Sequence, residues 1–481
     1  MRALLLGSLW VAALSLRAQQ PFDLDPSFQT EISKNTVSSI AILPDGDLLL
    51  SGRFRLNGEF NDRSLYRVHN DGSGYVGFPF SFGGGRITPW NGRYYVANGD
   101  AVVRVFDDGT LDNGFIWLAT GPYVSINIGG DYYAYPDGRI LLSGTHYLSD
   151  TARGYVGLYN LIWFSNQGYL DTTAHHRVCD GHINYIHPLP DGKFLLGGFW
   201  SEYDGTPTPN STHLIRVFPD GALDTTFQCP IDWGSVVCHE QLPDGKHLVC
   251  GTFTVNNDPD TMQVLRLLPD GGVDAAFNSH LQYLYPYASA TSYAGVIGLL
   301  PMDQGRHIIT GGFTTIGGLA RGGIALLDSS GDLLPDRFDQ AACGVWNDGF
   351  MDHAYLAGIV PAPDGSFYIH GSYHGYNDGT TNFPGQRMVS RLYGLDVGMQ
   401  ERPVPRPALY PNPAYTTFRV QDAGAAPLDL VLHDALGRPV RQWLNTTPGN
   451  DLTVDDLPEG LYFLQLRGPH PCSLKLLIQR P

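Results

Sequence analysis

The residues with the widest chemical range in this 481-residue chain are its sixteen histidines. The densest group is His175-His176-Arg177-Val178-Cys179-Asp180-Gly181-His182, which puts three imidazoles and a thiol within one loop's length. Those are zinc ligands in kind, but their spacing matches no established ligand pattern, and loop histidines are ordinarily solvated. His187 and His239 are better placed for acid–base work, because they break a repeated pattern and fall on strands expected to line a channel. Asn256-Asn257-Asp258-Pro259-Asp260 resembles part of a calcium loop, yet it lacks the glycine and distal glutamate such a loop needs. A surface turn is expected there. No Gly-x-Ser-x-Gly, His-Glu-x-x-His or phosphate-loop motif occurs. The expectation is therefore no catalytic residue, no metal site and no cofactor.

The elements that would position any such group come from a repeat. Ile40-Ala41-Ile42-Leu43-Pro44-Asp45-Gly46 runs into Leu48-Leu49-Leu50-Ser51-Gly52-Arg53-Phe54. The pattern returns at Pro190-Asp191-Gly192-Lys193 and again at Pro243-Asp244-Gly245-Lys246. Weaker copies centre on Asn91-Gly92, Pro136-Asp137-Gly138, Gln304-Gly305 and Pro363-Asp364-Gly365. Successive turns lie 46, 46, 54, 53, 60 and 60 residues apart, the period of a four-stranded propeller blade. Proline presets the turn, aspartate bonds the backbone two residues on, and glycine takes the positive φ. Each repeat has a second half, as in Leu214-Ile215-Arg216-Val217-Phe218-Pro219-Asp220-Gly221 before Leu223-Asp224-Thr225-Thr226-Phe227. The fold class read from this is all-β: a propeller of about seven blades, then a small C-terminal β-sandwich. The chain opens with a spare Leu24-Asp25-Pro26-Ser27-Phe28 element, and its seventh copy ends at Tyr393 without one. A ring closed by the N-terminal segment follows, which removes the open sheet edge.

Composition and termini bound the setting. Residues 1–18 have one early positive charge, an apolar run from Ala3 to Leu16 and a small residue before a polar start, as a secretory signal does. That run is too short to span a bilayer, and no later segment is apolar enough. Removing it takes the formal charge from −17 to −19, which disfavours nucleic acid and anionic membranes as partners. Cys238 and Cys250 flank a hairpin turn, so a disulfide and two separate thiols both remain open. A monomer without a membrane span is expected.

The strand-turn elements resemble the delta-60 repeat family over about Phe22 to Leu395, which implies a propeller-like fold without one shared activity. Beyond it the domain reading runs 19–395 for the propeller, 396–407 for a linker with Pro403, Pro405 and Pro407, and 408–481 for the last domain. That last segment resembles the C-terminal sorting domain of the Bacteroidetes type IX secretion system. The matching elements are Tyr410-Pro411-Asn412-Pro413, Asp434-Ala435-Leu436-Gly437-Arg438, Leu457-Pro458-Glu459-Gly460-Leu461-Tyr462-Phe463 and Lys475-Leu476-Leu477-Ile478-Gln479-Arg480. The resemblance implies export through the periplasm to the cell surface or medium, with the type IX machinery as a partner of residues 408–481. The leading expectation is a scaffold that binds an extracellular glycan, polymer or protein. The alternative is a secreted hydrolase or lyase with its active site in the funnel.

Overall fold

The computed structural model describes residues 20–79, 82–98, 101–118, 124–208, 213–285, 295–335, 338, 343–347, 352–379, 381–395, 408–421, 428–435, 437–447, 449–467 and 472–480. The expected signal segment 1–18 and linker 396–407 lie outside them. The chain divides into two units, 1–397 and 398–481.

In the first unit each repeat forms a sheet of three antiparallel strands. Sheet 1 is Ile32–Ile42, Leu48–Leu56 and Arg63–Val68; sheet 2 is Ile87–Trp90, Arg93–Asn98 and Ala101–Val105. Sheet 3 is Val124–Ala134, Ile140–Asp150 and Tyr155–Phe164; sheet 4 is His182–Pro188, Phe194–Phe199 and Leu214–Val217. Sheet 5 is Ile231–Gln241, His247–Val255 and Met262–Leu267; sheet 6 is Val296–Pro301, His307–Gly311 and Ile324–Leu327. Sheet 7 is Tyr355–Pro361, Phe367–Asn377 and Asn382–Leu392. Leucines or valines of the second-half element add a fourth, bridge-paired edge, as in Val105 to Leu111, Val217 to Leu223 and Leu267 to Val273.

The turn chemistry is as the sequence implies. The Asp45, Asp191 and Asp244 carboxylates accept the amides of Asp47, Lys193 and Lys246 at 3.1–3.2 Å. The seven turn glycines, from Gly46 to Gly365, all have φ between 70° and 90°. The two copies without Pro-Asp close through left-handed pairs, Asn91 (φ 46°) with Gly92 (φ 71°) and Gln304 (φ 62°) with Gly305 (φ 70°). The glycine that ends the second strand has a separate reason. A first-strand bulge sits beside it, and a Cβ on Gly198 would stand 2.1 Å from the His182 carbonyl oxygen.

Ionic clamps lock the second half of four repeats, those of sheets 2, 4, 5 and 7. Asp274 accepts the Ala276 amide (3.0 Å) and pairs with Arg266 (2.8 Å) and Lys246 (3.0 Å). The Arg266 guanidinium lies 4.9 Å over Phe277 and donates to the Ser329 carbonyl of the next sheet at 2.5 Å. Asp224 repeats this with Arg216, Lys193 and Thr226, and Arg216 reaches the Pro269 carbonyl at 2.7 Å. One motif therefore fixes a turn, a strand and the adjoining sheet.

The N-terminal segment completes sheet 7. Leu24 bridges Leu392, Phe22 donates to the Tyr393 carbonyl (3.0 Å), and Asp25 donates to that of Arg391 (2.9 Å). Phe22 packs on Phe338 and Phe367 at 4.9 and 5.5 Å. Sheet 7 then meets sheet 1 through Tyr355–Thr36 and His370–Val37 hydrogen bonds of 3.0 and 3.1 Å. The ring is closed.

The second unit has a three-stranded sheet (Ala408–Tyr410, Thr417–Gln421, Leu452–Thr453) and a four-stranded one (Pro439–Thr446, Leu428–His433, Gly460–Arg467, Cys472–Ile478). Phe418, Val420, Leu430, Leu432, Leu464 and Leu476 share one core between the two. Asn412 accepts the Leu477 amide and donates to the Lys475 carbonyl, at 2.9 and 2.8 Å, so the Tyr-Pro-Asn-Pro element is stitched to the final strand.

Candidate functional site

First and third strands of each sheet run the same way and end at the Pro-Asp-Gly-type turns, so those turns share one face of the ring. The hairpins between second and third strands, and the crossings to the next sheet, share the other. The loop face carries small ribbons, among them Glu202–Tyr203 with Thr206–Pro207 and Trp346–Asn347 with Asp352–His353. First strands touch first strands of neighbouring sheets and form the inner wall.

That wall brings together the two histidines singled out from the sequence. His187 of sheet 4 and His239 of sheet 5 have ring centroids 5.7 Å apart. His239 Nε2 lies 3.0 Å from Nδ1 of His247, so one ring donates to the other, and His187 Nε2 is 3.4 Å from the Val236 carbonyl. Burial drives the pKa of His187 and of His247 to about 4. Burial and the adjacent His187 and His247 rings take His239 to about 2. The three are neutral at pH 7. A general base works best with a pKa near the operating pH, which these lack. His247 was not anticipated, although it lies two residues from the cross-strand partner of His239 (Val249) and so shares its side of the hairpin.

Two further inner-wall groups were not legible. Asp131 pairs with Arg86 at 2.9 Å and accepts the Ile186 amide at 3.1 Å, joining sheets 2, 3 and 4. Arg86 also lies 4.8 Å over the Tyr132 ring. The arrangement is an inter-sheet tie.

The His175–His182 loop does not converge. His175 is exposed. His176 is buried 4.9 Å from Tyr155, and burial lowers its pKa to about 4. His182 contacts Thr145 (3.0 Å) and the Gly129 carbonyl (3.2 Å), while burial pushes the Cys179 thiol up to about 11. Among the described residues no group of three or more histidine, cysteine or acidic side chains is set to hold a metal ion. Asn256 and Asn257, at φ 55° and 57°, make the hairpin turn of sheet 5, and Asp258 accepts the Asp260 amide. Cys238 and Cys250 are directly opposed and form a disulfide.

Exposed aromatic side chains mark the loop face. Phe60 tops the hairpin of sheet 1 at 92% exposure, Tyr147 rises on sheet 3, and Phe199 and Trp233 (both 51%) stand on sheets 4 and 5. Phe82, 41% exposed, lies 5.2 Å from the half-buried Trp117 ring at a tilt of 42°. On the turn face the Tyr75 and Phe218 rings lie under Arg67 and Lys193, at 4.8 and 5.0 Å.

Fold and tail define an exported propeller protein. Residues 189–227 and 242–277 match the family described as a domain of unknown function (DUF5122) beta-propeller, and residues 408–479 match the secretion system C-terminal sorting domain. The chain carries both, and it is exported to the cell surface or secreted. None of the curated proteins compared with the chain matches it. Among solved structures, it is similar to the extracellular domain of a putative hybrid two-component system from B. thetaiotaomicron (11% identity, TM-score 0.45, covering 96% of this chain and 60% of that one). It is also similar to PorZ, a surface component of the type-IX secretion system of Porphyromonas gingivalis (11% identity, TM-score 0.35, 92% and 66%). A third is a GH74 xyloglucanase from Xanthomonas campestris (14% identity, TM-score 0.28, 93% and 86%). The chain thus spans about two thirds or less of the length of the first two. Among the described residues no helix is long and apolar enough to cross a membrane.

Proposed function

We propose that the propeller is an extracellular scaffold that holds a glycan, polymer or protein against its loop face. The observation that carries this reading is the contrast in aromatic side chains. Phe60, Phe199 and Trp233 are more than half exposed on the loop face, whereas on the turn face Tyr75 and Phe218 lie under cations at 36% and 40% exposure. Tyr169 alone of these turn-face rings, at 49%, has no cation over it among the described residues. Large rigid rings give contact area at low entropy cost, and they stack on sugars and fill protein pockets alike. The inner-wall histidines favour this reading over chemistry in the funnel, because each is neutral and engaged with a neighbour.

The experiment is a retention assay of the purified chain on a panel of polysaccharides and outer-surface proteins, following bound protein and released product together. Retention that falls about tenfold or more in Trp233→Ala or Phe199→Ala, without turnover, supports the scaffold. The second reading, a hydrolase or lyase, draws on the convergence of His187, His239 and His247. Turnover abolished by His187→Ala or His239→Ala would establish it instead.

A further inference from the structure

Sheet 3 is built differently from its neighbours. Its second and third strands, Ile140–Asp150 and Tyr155–Phe164, continue past the level at which the fourth element ends. Arg177 covers the outer edge only as far as Asn160 and Leu161, whose amides donate to its carbonyl at 2.8 and 3.2 Å. Among the described residues nothing pairs with the backbone of Tyr155 to Tyr159 on that side. Two successive amides on one carbonyl make Asn160 and Leu161 a bulge, and on its N-terminal side alternation from the Asn160 amide turns the N–H and C=O of Val156 and Leu158 outward, with Gly157 between them at φ 122°.

An open edge is normally guarded by lysine, proline or a covering segment. This one reads Tyr155-Val156-Gly157-Leu158-Tyr159, with no charge and no proline. It is symmetric about Gly157, and Gly157 is also the midpoint of the open stretch. Val156 and Leu158 are 50% and 54% exposed, beside Tyr147 at 41%, the cross-strand partner of Leu158. A Cβ built on Gly157 would meet nothing within 4 Å, so there is open space beside it.

We infer that this edge pairs with the same edge of a second copy of the chain. An antiparallel pair related by a two-fold axis through Gly157 sets Val156 against Leu158 of the other copy, twice over. Both residues point their backbone groups outward, so the match forms four hydrogen bonds and joins two sheets into one. A two-fold interface must be self-complementary, and this sequence is. The contact is short and the formal charge of each chain is −17, so the dimer is weak and strengthens as salt screens the repulsion.

The test is sedimentation velocity of the full chain up to about 0.5 mM, at about 0.05 and about 0.5 M salt. The expected result is a monomer–dimer equilibrium favoured by salt and weakened at least about tenfold in Val156→Lys/Leu158→Lys. Both side chains are half exposed, and an unchanged melting curve will show that the variant folds. Register is read by mixing Val156→Cys with Leu158→Cys. The mixture should cross-link under mild oxidation while each variant alone does not. A monomer at every concentration and salt, or equal cross-linking in the separate and mixed samples, would overturn the inference.

Discussion

The turn face and the loop face are made by the same strands, yet they use their side chains in opposite ways. On the turn face almost every charged group has a partner. Burial works against the Asp224 carboxylate, but hydrogen bonds from Thr226, Lys193 and Arg216 outweigh it and hold its pKa well below the usual range. The same holds for Asp274 with Lys246, the Ala276 amide and Arg266. On the loop face, Phe60, Phe199 and Trp233 stand in solvent. The difference teaches that stability is concentrated at one rim, which leaves the other free to vary in length and chemistry.

The largest effect should come from removing residues 20–28. This deletes the clamp of sheet 7, in which Asp25 accepts the Ser27 amide (3.0 Å) and faces Arg391 (3.5 Å). It also removes Phe22, Leu24 and Phe28, whose burial is worth about 1.5–3 kcal/mol each. The truncated protein should aggregate or melt far below the parent. A matching melting curve would mean that closure adds nothing to the ring.

Acid should come next, because it strikes the seams between sheets and not either face. His370 is 5% exposed where sheet 7 meets sheet 1, and burial lowers its pKa to about 4. The unfolded chain protonates this group near pH 6.5 and the folded chain only near 4, so the unfolded state binds more protons between those values. Stability is fully present above about pH 6.5 and falls by about 3 kcal/mol for this histidine as pH drops towards 4. His176, His187, His239 and His247 add to the same slope. Chemical denaturation at stepped pH checks this, and a flat stability between pH 7 and 5 would contradict it.

Asp274→Ala tests the turn face alone. It removes the carboxylate that Arg266 and Lys246 share and should destabilise by about 2–4 kcal/mol with ligand retention unchanged. The smallest stability effect belongs to Trp233→Ala, expected within about 0.5 kcal/mol of the parent by denaturant titration. If Trp233→Ala cost as much as Asp274→Ala, the division of labour between the faces would be wrong.

The fold was legible because its cause is local and repeated. Asp191 and Asp244 each bond an amide two residues away, and seven glycines hold positive φ, so the motif carries its own structure. The N-terminal closure was legible for the same reason, since Leu24-Asp25 lacked a strand pair of its own. The candidate site was only half legible. His187 and His239 stood out by breaking the pattern, but the Arg86–Asp131 tie crosses sheets whose copies are weak. The His175–His182 loop misled in the other direction. Crowding in sequence gave no convergence in space, because His176 turned inward and His182 bonded across to sheet 3. The disulfide needed the register, which the sequence left open and the opposed Cys238 and Cys250 supply.

The closing bonds between Phe22 and Tyr393 have a kinetic side as well. They join nearly the first described residues to nearly the last of the propeller, the most distant pairing in it. Each interior sheet can form from neighbours in sequence, whereas the seam has to wait for the whole array to emerge. Loop-closure entropy grows slowly with length, so the delay arises from the order of arrival more than from the thermodynamic cost. Until the seam forms, Leu392 is left at a bare sheet edge and the Leu24 segment has no strand to pair with. A chain arrested before Tyr393 has emerged therefore keeps its last sheet unfinished, and the open edge at Leu392 invites pairing with another such chain.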